Sequence, residues 1–201
     1  LPPLRPSPPP PPIGGPVGME AAGEDEEEAA AGEGATAAVA LSDSATRVWC
    51  EPRPPALNTV ALLKAASEEL GISPGDAMHY AERLYLSGLT SYPRTETSRY
   101  APGFDLEGTL RCLSERDEVR EWLPQAAELY RDASVSASAA GGDLGAALAA
   151  RASLDGVDVG DHPPITPVKL ATPRQCEGEA GWALYQYICR HFVASLSADC
   201  T

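Results

Sequence analysis

From Thr59 onward, apolar residues recur at intervals of three and four, the spacing of one helix face, and strict alternation is nearly absent. Asn58 or Thr59 offers an N-cap for a first helix running to about Leu70, with Gly71 as its stop. Val60, Leu63, Ser67 and Leu70 share the face it is predicted to bury. Ser73-Pro74-Gly75-Asp76 starts a second helix. Serine caps it, proline takes the first helical position where no amide partner is needed, and aspartate meets the positive end of the helix dipole. Ala77, Ala81, Leu84 and Tyr85 keep the period until Gly88. Leu106, Leu110 and Leu113 mark a third helix, and Val119, Trp122 and Leu123 a fourth. Pro124 opens or kinks a fifth, with Ala126, Leu129 and Tyr130. The last helix runs from about Gly178 to Leu196, with Trp182, Tyr185, Ile188 or Cys189, Phe192 and Leu196 along its stripe.

Between these helices, Leu89-Thr90-Ser91-Tyr92 reads as a short β segment that Pro93 closes, and Ala101 to Asp105 as a turn. Residues 133–160 are rich in Ala, Gly, Ser and Asp and read as a long flexible loop, with a weak helix at Asp143 to Arg151. The pattern predicts a mainly α chain of six or seven helices with one or two short β segments.

The N-terminal residues follow no such rhythm. Residues 1–16 hold nine prolines, which favour extended polyproline II and cannot build a core. The acidic run Glu24 to Glu28 and an Ala/Gly-rich patch follow, almost without aromatics. Residues 1–46 are therefore predicted to be a disordered Pro-rich and acidic segment. Order is expected over 47–201, starting at Arg47-Val48-Trp49-Cys50.

Charge narrows the function classes. The 201 residues carry a net charge of −14, unevenly spread. Residues 1–50 hold 2 basic and 8 acidic side chains, 51–100 hold 5 and 6, 101–150 hold 4 and 9, and 151–201 hold 4 and 6. That balance disfavours a stand-alone nucleic-acid binder, and only the window 51–100 would meet a phosphate backbone with little repulsion. No run approaches the roughly 18 apolar residues of a membrane span, and no secretory signal is visible. The five cysteines lack zinc spacing and are odd in number, which points to reduced thiols in an intracellular chain.

The chemistry concentrates in Ser91-Tyr92-Pro93-Arg94-Thr95-Glu96-Thr97. In an extended backbone, residues two apart point the same way, so Tyr92 and Arg94 are expected to address one site. A phenol can attack a phosphodiester, and a guanidinium can grip the non-bridging oxygens in bidentate fashion. By residue type alone that pairing is common, and a surface tyrosine and arginine remain an open alternative.

This segment resembles the active-site motif of the type IA DNA topoisomerases, in the topoisomerase III branch. Leu57-Asn58-Thr59 and Ala81-Glu82-Arg83-Leu84-Tyr85 resemble the family's lead-in. Gly160-Asp161-His162-Pro163-Pro164-Ile165-Thr166-Pro167 resembles a second motif, and Leu184 to Phe192 the helix after it. Gly103 to Gly108 inclines the resemblance toward the beta form. Four ordered blocks carry it, over about 54–132 and 160–201. Thr90 departs from the usual Ile, Leu or Val at its position.

The resemblance implies a partial type IA central domain over 47–201, preceded by the disordered tail. It implies Tyr92 as the nucleophile forming a 5′-phosphotyrosyl intermediate, Arg94 at the scissile phosphate, and His162 in phosphate contact or proton handling. Arg94 and Arg99 would contact nucleic acid, although a surface charge is the simpler reading of Arg99. For Glu96 a local turn or cap is the simpler reading. The implied partners are single-stranded DNA, RNA in the beta branch, and the other topoisomerase domains, with a nuclear location. Mg²⁺ is implied through an acidic TOPRIM domain not recognisable in these residues, so the chain alone is expected to be inactive. The competing reading is a non-catalytic truncated product or Pro-rich interaction module.

Overall fold

The computed structural model describes residues 52–152 and 155–198. The expected disordered tail, the extended piece Arg47 to Cys50, and Cys50 and Cys200 lie outside the described residues. Seven α-helices are described: α1 (Thr59–Glu68), α2 (Pro74–Leu86), α3 (Leu106–Ser114), α4 (Asp117–Arg120), α5 (Pro124–Ala140), α6 (Leu144–Arg151) and α7 (Gly178–Leu196). The chain is mainly helical, as its periodicity predicts. The expected β segment reduces to an isolated antiparallel bridge between Thr90 and Pro167.

Local chemistry starts the helices where the sequence places the caps. Asn58 accepts the Ala61 amide, and Ser73 accepts that of Asp76 with Pro74 behind it. Asp105 and Asp143 cap α3 and α6 in the same way. After α2, Gly88 takes φ +69°, a left-handed turn that releases Leu89 into the next segment.

Helix α7 is the axis of the core. Leu184, Tyr185, Ile188, Cys189, Phe192, Val193 and Leu196 are all buried, and the helix packs on α2, α5 and α6. Each large side chain withdrawn from water there contributes about 1.5–3 kcal/mol, which makes this stripe the main driving force of the fold. Its polar tips also organise the neighbouring loops. Tyr185 Oη donates to the Lys169 carbonyl at 2.8 Å and accepts the Ala171 amide at 3.2 Å. Tyr100 Oη lies 2.9 Å from Ser195 Oγ, which itself donates to the Phe192 carbonyl. Burial pushes the Cys176 thiol up to about 11 and the Cys189 thiol up to about 12, so both are neutral packing groups at physiological pH.

Two expectations need correction. The flexible loop expected from residue 133 is instead helical through Ala140, as the end of α5, while the helix expected at Asp143 to Arg151 is present as α6 with Asp143 as its cap. Ala126, Leu129, Ala133 and Ala137 form one buried line, and α5 packs against α3 and α6. Small side chains let helices approach closely, so an alanine stripe that looks featureless in sequence is a packing face. The second correction concerns α1, which buries Leu62, Ala65 and Ala66 while Val60 is 72% exposed. Both faces have helical spacing, and contact with α2 selects the one with alanines.

Three separate stretches are laced together beside this helical body. The Leu57 carbonyl accepts the Ile165 amide at 2.8 Å, and the Thr59 amide reaches the Thr95 carbonyl at 3.0 Å. Ser91 N–H donates to the Thr166 carbonyl at 3.0 Å, while its hydroxyl donates to Pro164 O at 2.7 Å. Farther along, the Ser98 amide meets Val157 O at 2.8 Å. The approach is so close that a Cβ on Gly156 would lie 1.8 Å from the Ser98 carbonyl oxygen.

Two stability outcomes follow. Gly156→Ala forces these strands of backbone apart and destabilises the chain by about 1–3 kcal/mol, read as a lower thermal midpoint. Thr90 is buried, and its hydroxyl has no hydrogen-bond partner among the described residues. Thr90→Val keeps the shape, removes the orphaned oxygen and raises stability by about 1 kcal/mol in urea unfolding; a lower midpoint would show that the hydroxyl is satisfied.

Candidate functional site

The laced segments bring Tyr92 and His162 together across 70 positions of sequence. Their rings meet edge to face with centroids 4.6 Å apart and planes inclined by 62°. On its other side Tyr92 meets Tyr85 of α2, at 5.1 Å and 70°. Tyr85 is therefore not the core residue that its place in the α2 stripe predicts. It is 41% exposed and serves as one wall of a bracket around Tyr92. The contact with His162 is ring to ring, and no hydrogen bond joins the two side chains among the described residues.

Arg94 is exposed and reaches back to α2, where its Nε donates to Glu82 Oε1 at 2.8 Å and its Nη2 to the same oxygen. Glu82 and Tyr85 are three apart on α2, so one helix face holds both the partner of Tyr92 and the partner of Arg94. Both bonds go to one carboxylate oxygen and so use only part of the five-donor guanidinium fork. Arg99 is exposed, and no contact joins it to Tyr92, Arg94 or His162 among the described residues. Glu96 contributes through its backbone: its amide donates to Asp161 Oδ2 at 3.0 Å, and its carbonyl accepts Asn58 Nδ2 at 3.4 Å. Of the two caps the sequence offers for α1, Asn58 and Thr59, the structure uses Asn58.

Asp161 ties the two motifs together. Thr97 Oγ1 donates to its Oδ1 at 2.6 Å, and Thr95 Oγ1 lies 3.2 Å from the same oxygen and 3.0 Å from the His162 carbonyl. The Thr97 hydroxyl foremost, then the Glu96 amide, the His162 amide and the Thr95 hydroxyl hold this carboxyl well below the usual carboxylate range. Thr95 and Thr97 are themselves buried, with the Thr95 amide on Thr59 Oγ1 at 2.8 Å. Thr59 Oγ1 in turn donates toward the carbonyls of Pro93, at 2.7 Å, and Thr95, at 2.9 Å.

Sequence reasoning passes over Asp161, Glu82, Thr59, Thr95 and Thr97. A signal for three of them is present: Thr95 and Thr97 alternate with the period of an extended segment, and Asp161 directly precedes the histidine. For Glu82 the only hint is its i,i+3 relation to Tyr85.

No group of three or more His, Cys, Asp or Glu side chains is placed to hold a metal ion among the described residues. Of the carboxylates in the site, Glu82 is engaged by Arg94 and Asp161 by its donors. These residues do not fit the implied Mg²⁺, and no chemical step is assigned to it.

Comparison with known proteins places this geometry in a family. Residues 21–201 match the family described as DNA topoisomerase. The chain is 42% identical over 164 residues to DNA topoisomerase 3-beta of Oryza sativa subsp. japonica, covering 80% of the chain and 16% of that protein. It is 47% identical over 152 residues to DNA topoisomerase 3-beta-1 of Mus musculus and 46% identical over the same length to that of Homo sapiens, covering 74% of the chain and 15% of each relative. The chain thus spans about one sixth of the length of these relatives. With the helical fold and both motifs in contact, the chain belongs to the DNA topoisomerase family and, within it, to the type IA, topoisomerase III beta-like members.

Proposed function

We propose that this chain carries the nucleophile of a type IA topoisomerase reaction and acts as part of a longer protein. Tyr92 Oη attacks the phosphorus of a single strand, and the bond from phosphorus to the 3′ oxygen breaks. The phenolic proton leaves by way of His162 or water, and the departing 3′ oxygen takes up a proton to become a free hydroxyl. The product is a 5′-phosphotyrosyl ester, which the same hydroxyl reverses after another strand has passed. Arg94 holds the non-bridging oxygens through the donors that Glu82 leaves open. The observation that carries this reading is the bracketed Tyr92, meeting His162 of the second motif at 4.6 Å.

The substrate is single-stranded DNA or, in keeping with the beta-form likeness, RNA, and the location is nuclear. The net charge of −14 works against holding a polyanion alone, so other segments must supply the basic surface and the Mg²⁺ site. Arg99 adds a phosphate contact beyond Arg94.

The chain alone is expected to leave supercoiled plasmid unrelaxed with or without Mg²⁺, and to bind single strands weakly, with steep loss on adding salt. Relaxation by the isolated chain in an agarose-gel assay would overturn that reading.

The chemistry is tested in a chimaera in which residues 52–198 replace the matching stretch of the Oryza sativa relative. Tyr92→Phe keeps the ring between Tyr85 and His162 but lacks the ester-forming oxygen, and abolishes covalent capture of a labelled single strand on a denaturing gel. Arg94→Lys keeps the charge but loses the planar grip, slowing capture without abolishing it. His162→Ala slows capture less than Tyr92→Phe does. A covalent adduct with Tyr92→Phe would move the nucleophile elsewhere.

A further inference from the structure

Asp161 is exposed, yet both of its carboxylate oxygens are engaged, Oδ1 by the Thr97 hydroxyl and Oδ2 by the Glu96 amide. Apart from the neighbouring His162 amide, the donors to its carboxylate come from residues 95–97, three to five positions after Tyr92, while its own main chain leads directly into His162. The two segments also meet through Ser91 on one side of this point and Ser98 on the other, and beside it Thr95 Oγ1 donates to the His162 carbonyl at 3.0 Å while Thr97 Oγ1 accepts the Val159 amide at 3.4 Å, both neutral contacts. Ring contact between Tyr92 and His162 has no hydrogen bond of its own to fix it among the described residues. Its geometry must therefore be set by whatever holds the two backbones in register.

We propose that Asp161 is the positioning residue of the site: its carboxylate clamps the Tyr92 segment to the His162 segment and so determines how His162 presents to the phenol. The inference rests on Tyr92 and His162 being the reacting pair, but its geometric content stands apart from any reaction. The clamp is charge-assisted, so it is stronger than the neutral contacts beside it. It lies at the surface, so removing it opens no cavity in the core. Loss of Asp161 should displace the imidazole while leaving the α7 core in place. A carboxylate that merely stabilises the fold would instead lower the melting point and loosen every part together.

The test is solution NMR on the 201-residue chain, comparing Asp161→Ala, Asp161→Asn and, from the opposite side of the clamp, Thr97→Val. In the wild type the His162 ring protons carry a ring-current shift from Tyr92. In Asp161→Ala and Thr97→Val they move toward the values of a free imidazole, and Asp161→Asn, which keeps one acceptor oxygen, lies between. In Asp161→Ala, exchange of the Glu96 amide speeds up by about tenfold or more on losing a hydrogen bond to a charged acceptor. The Ile188 and Phe192 resonances stay put in all three variants. His162 shifts unchanged in both Asp161→Ala and Thr97→Val overturn the inference, as does a general collapse of the core signals. Covalent capture in the chimaera separates this from the functional reading. Absent capture with native residues sinks the reaction, whereas normal capture with unmoved His162 resonances in the variants sinks only the role of Asp161.

Discussion

The carboxylate of Asp161 is the point at which the local structure becomes a site. It collects the hydroxyl of Thr97, the amide of Glu96 and the approach of Thr95 from a segment more than sixty residues away. An ionised acceptor facing such donors gains more than a neutral one, and the depressed carboxyl pKa expresses that gain. The rings of Tyr92 and His162, which meet edge to face, are carried by the two segments that this junction joins. Neither segment is a helix or a strand, so neither has a regular hydrogen-bond ladder to hold its shape. Side-chain acceptors take over that work, with Thr59, Ser91 and Asp161 each satisfying backbone groups that an irregular segment leaves open.

The helical body serves this junction in two ways. Helix α7 supplies the buried apolar surface that stabilises the chain, and through Tyr185 and Tyr100 it pins the ends of both irregular segments. Helix α2 presents Tyr85 and Glu82 to the functional side chains rather than to the core. Leaving Tyr85 41% exposed forgoes part of its burial energy, and the ring spends the rest of its surface on the contact with Tyr92. Arg94 in its ion pair with Glu82 is directed without being consumed, since one carboxylate oxygen occupies only part of the guanidinium fork.

Much of this was legible in the linear chain. Caps at Asn58 and Ser73, the stripe of α7 and the break at Gly88 are local signals, because a cap or a period involves residues within one or two turns. Tyr92, Arg94 and His162 were singled out through their motifs, and the structure brings the rings of Tyr92 and His162 together. The misreadings of α1 and α5 share one cause. Ala133 and Ala137 on α5, and Ala65 and Ala66 on α1, bury little area each and carry almost no hydropathy signal. They matter only because a neighbouring helix comes close, and a neighbour is not visible in a window of eleven residues.

By itself, the amino-acid order determined where most helices start, which residue types could act on a phosphodiester, and that residues 51–100 were the stretch closest to neutral charge. Tertiary structure alone decided that Tyr85 turns outward to flank Tyr92, that Arg94 is steered by Glu82, and that an exposed aspartate is the clamp between the motifs. The physical reason is range. Helix signals are written in contacts three or four residues apart, whereas the pairs Tyr92 with His162 and Thr97 with Asp161 become neighbours only once α7 has gathered the core and closed the loops between them.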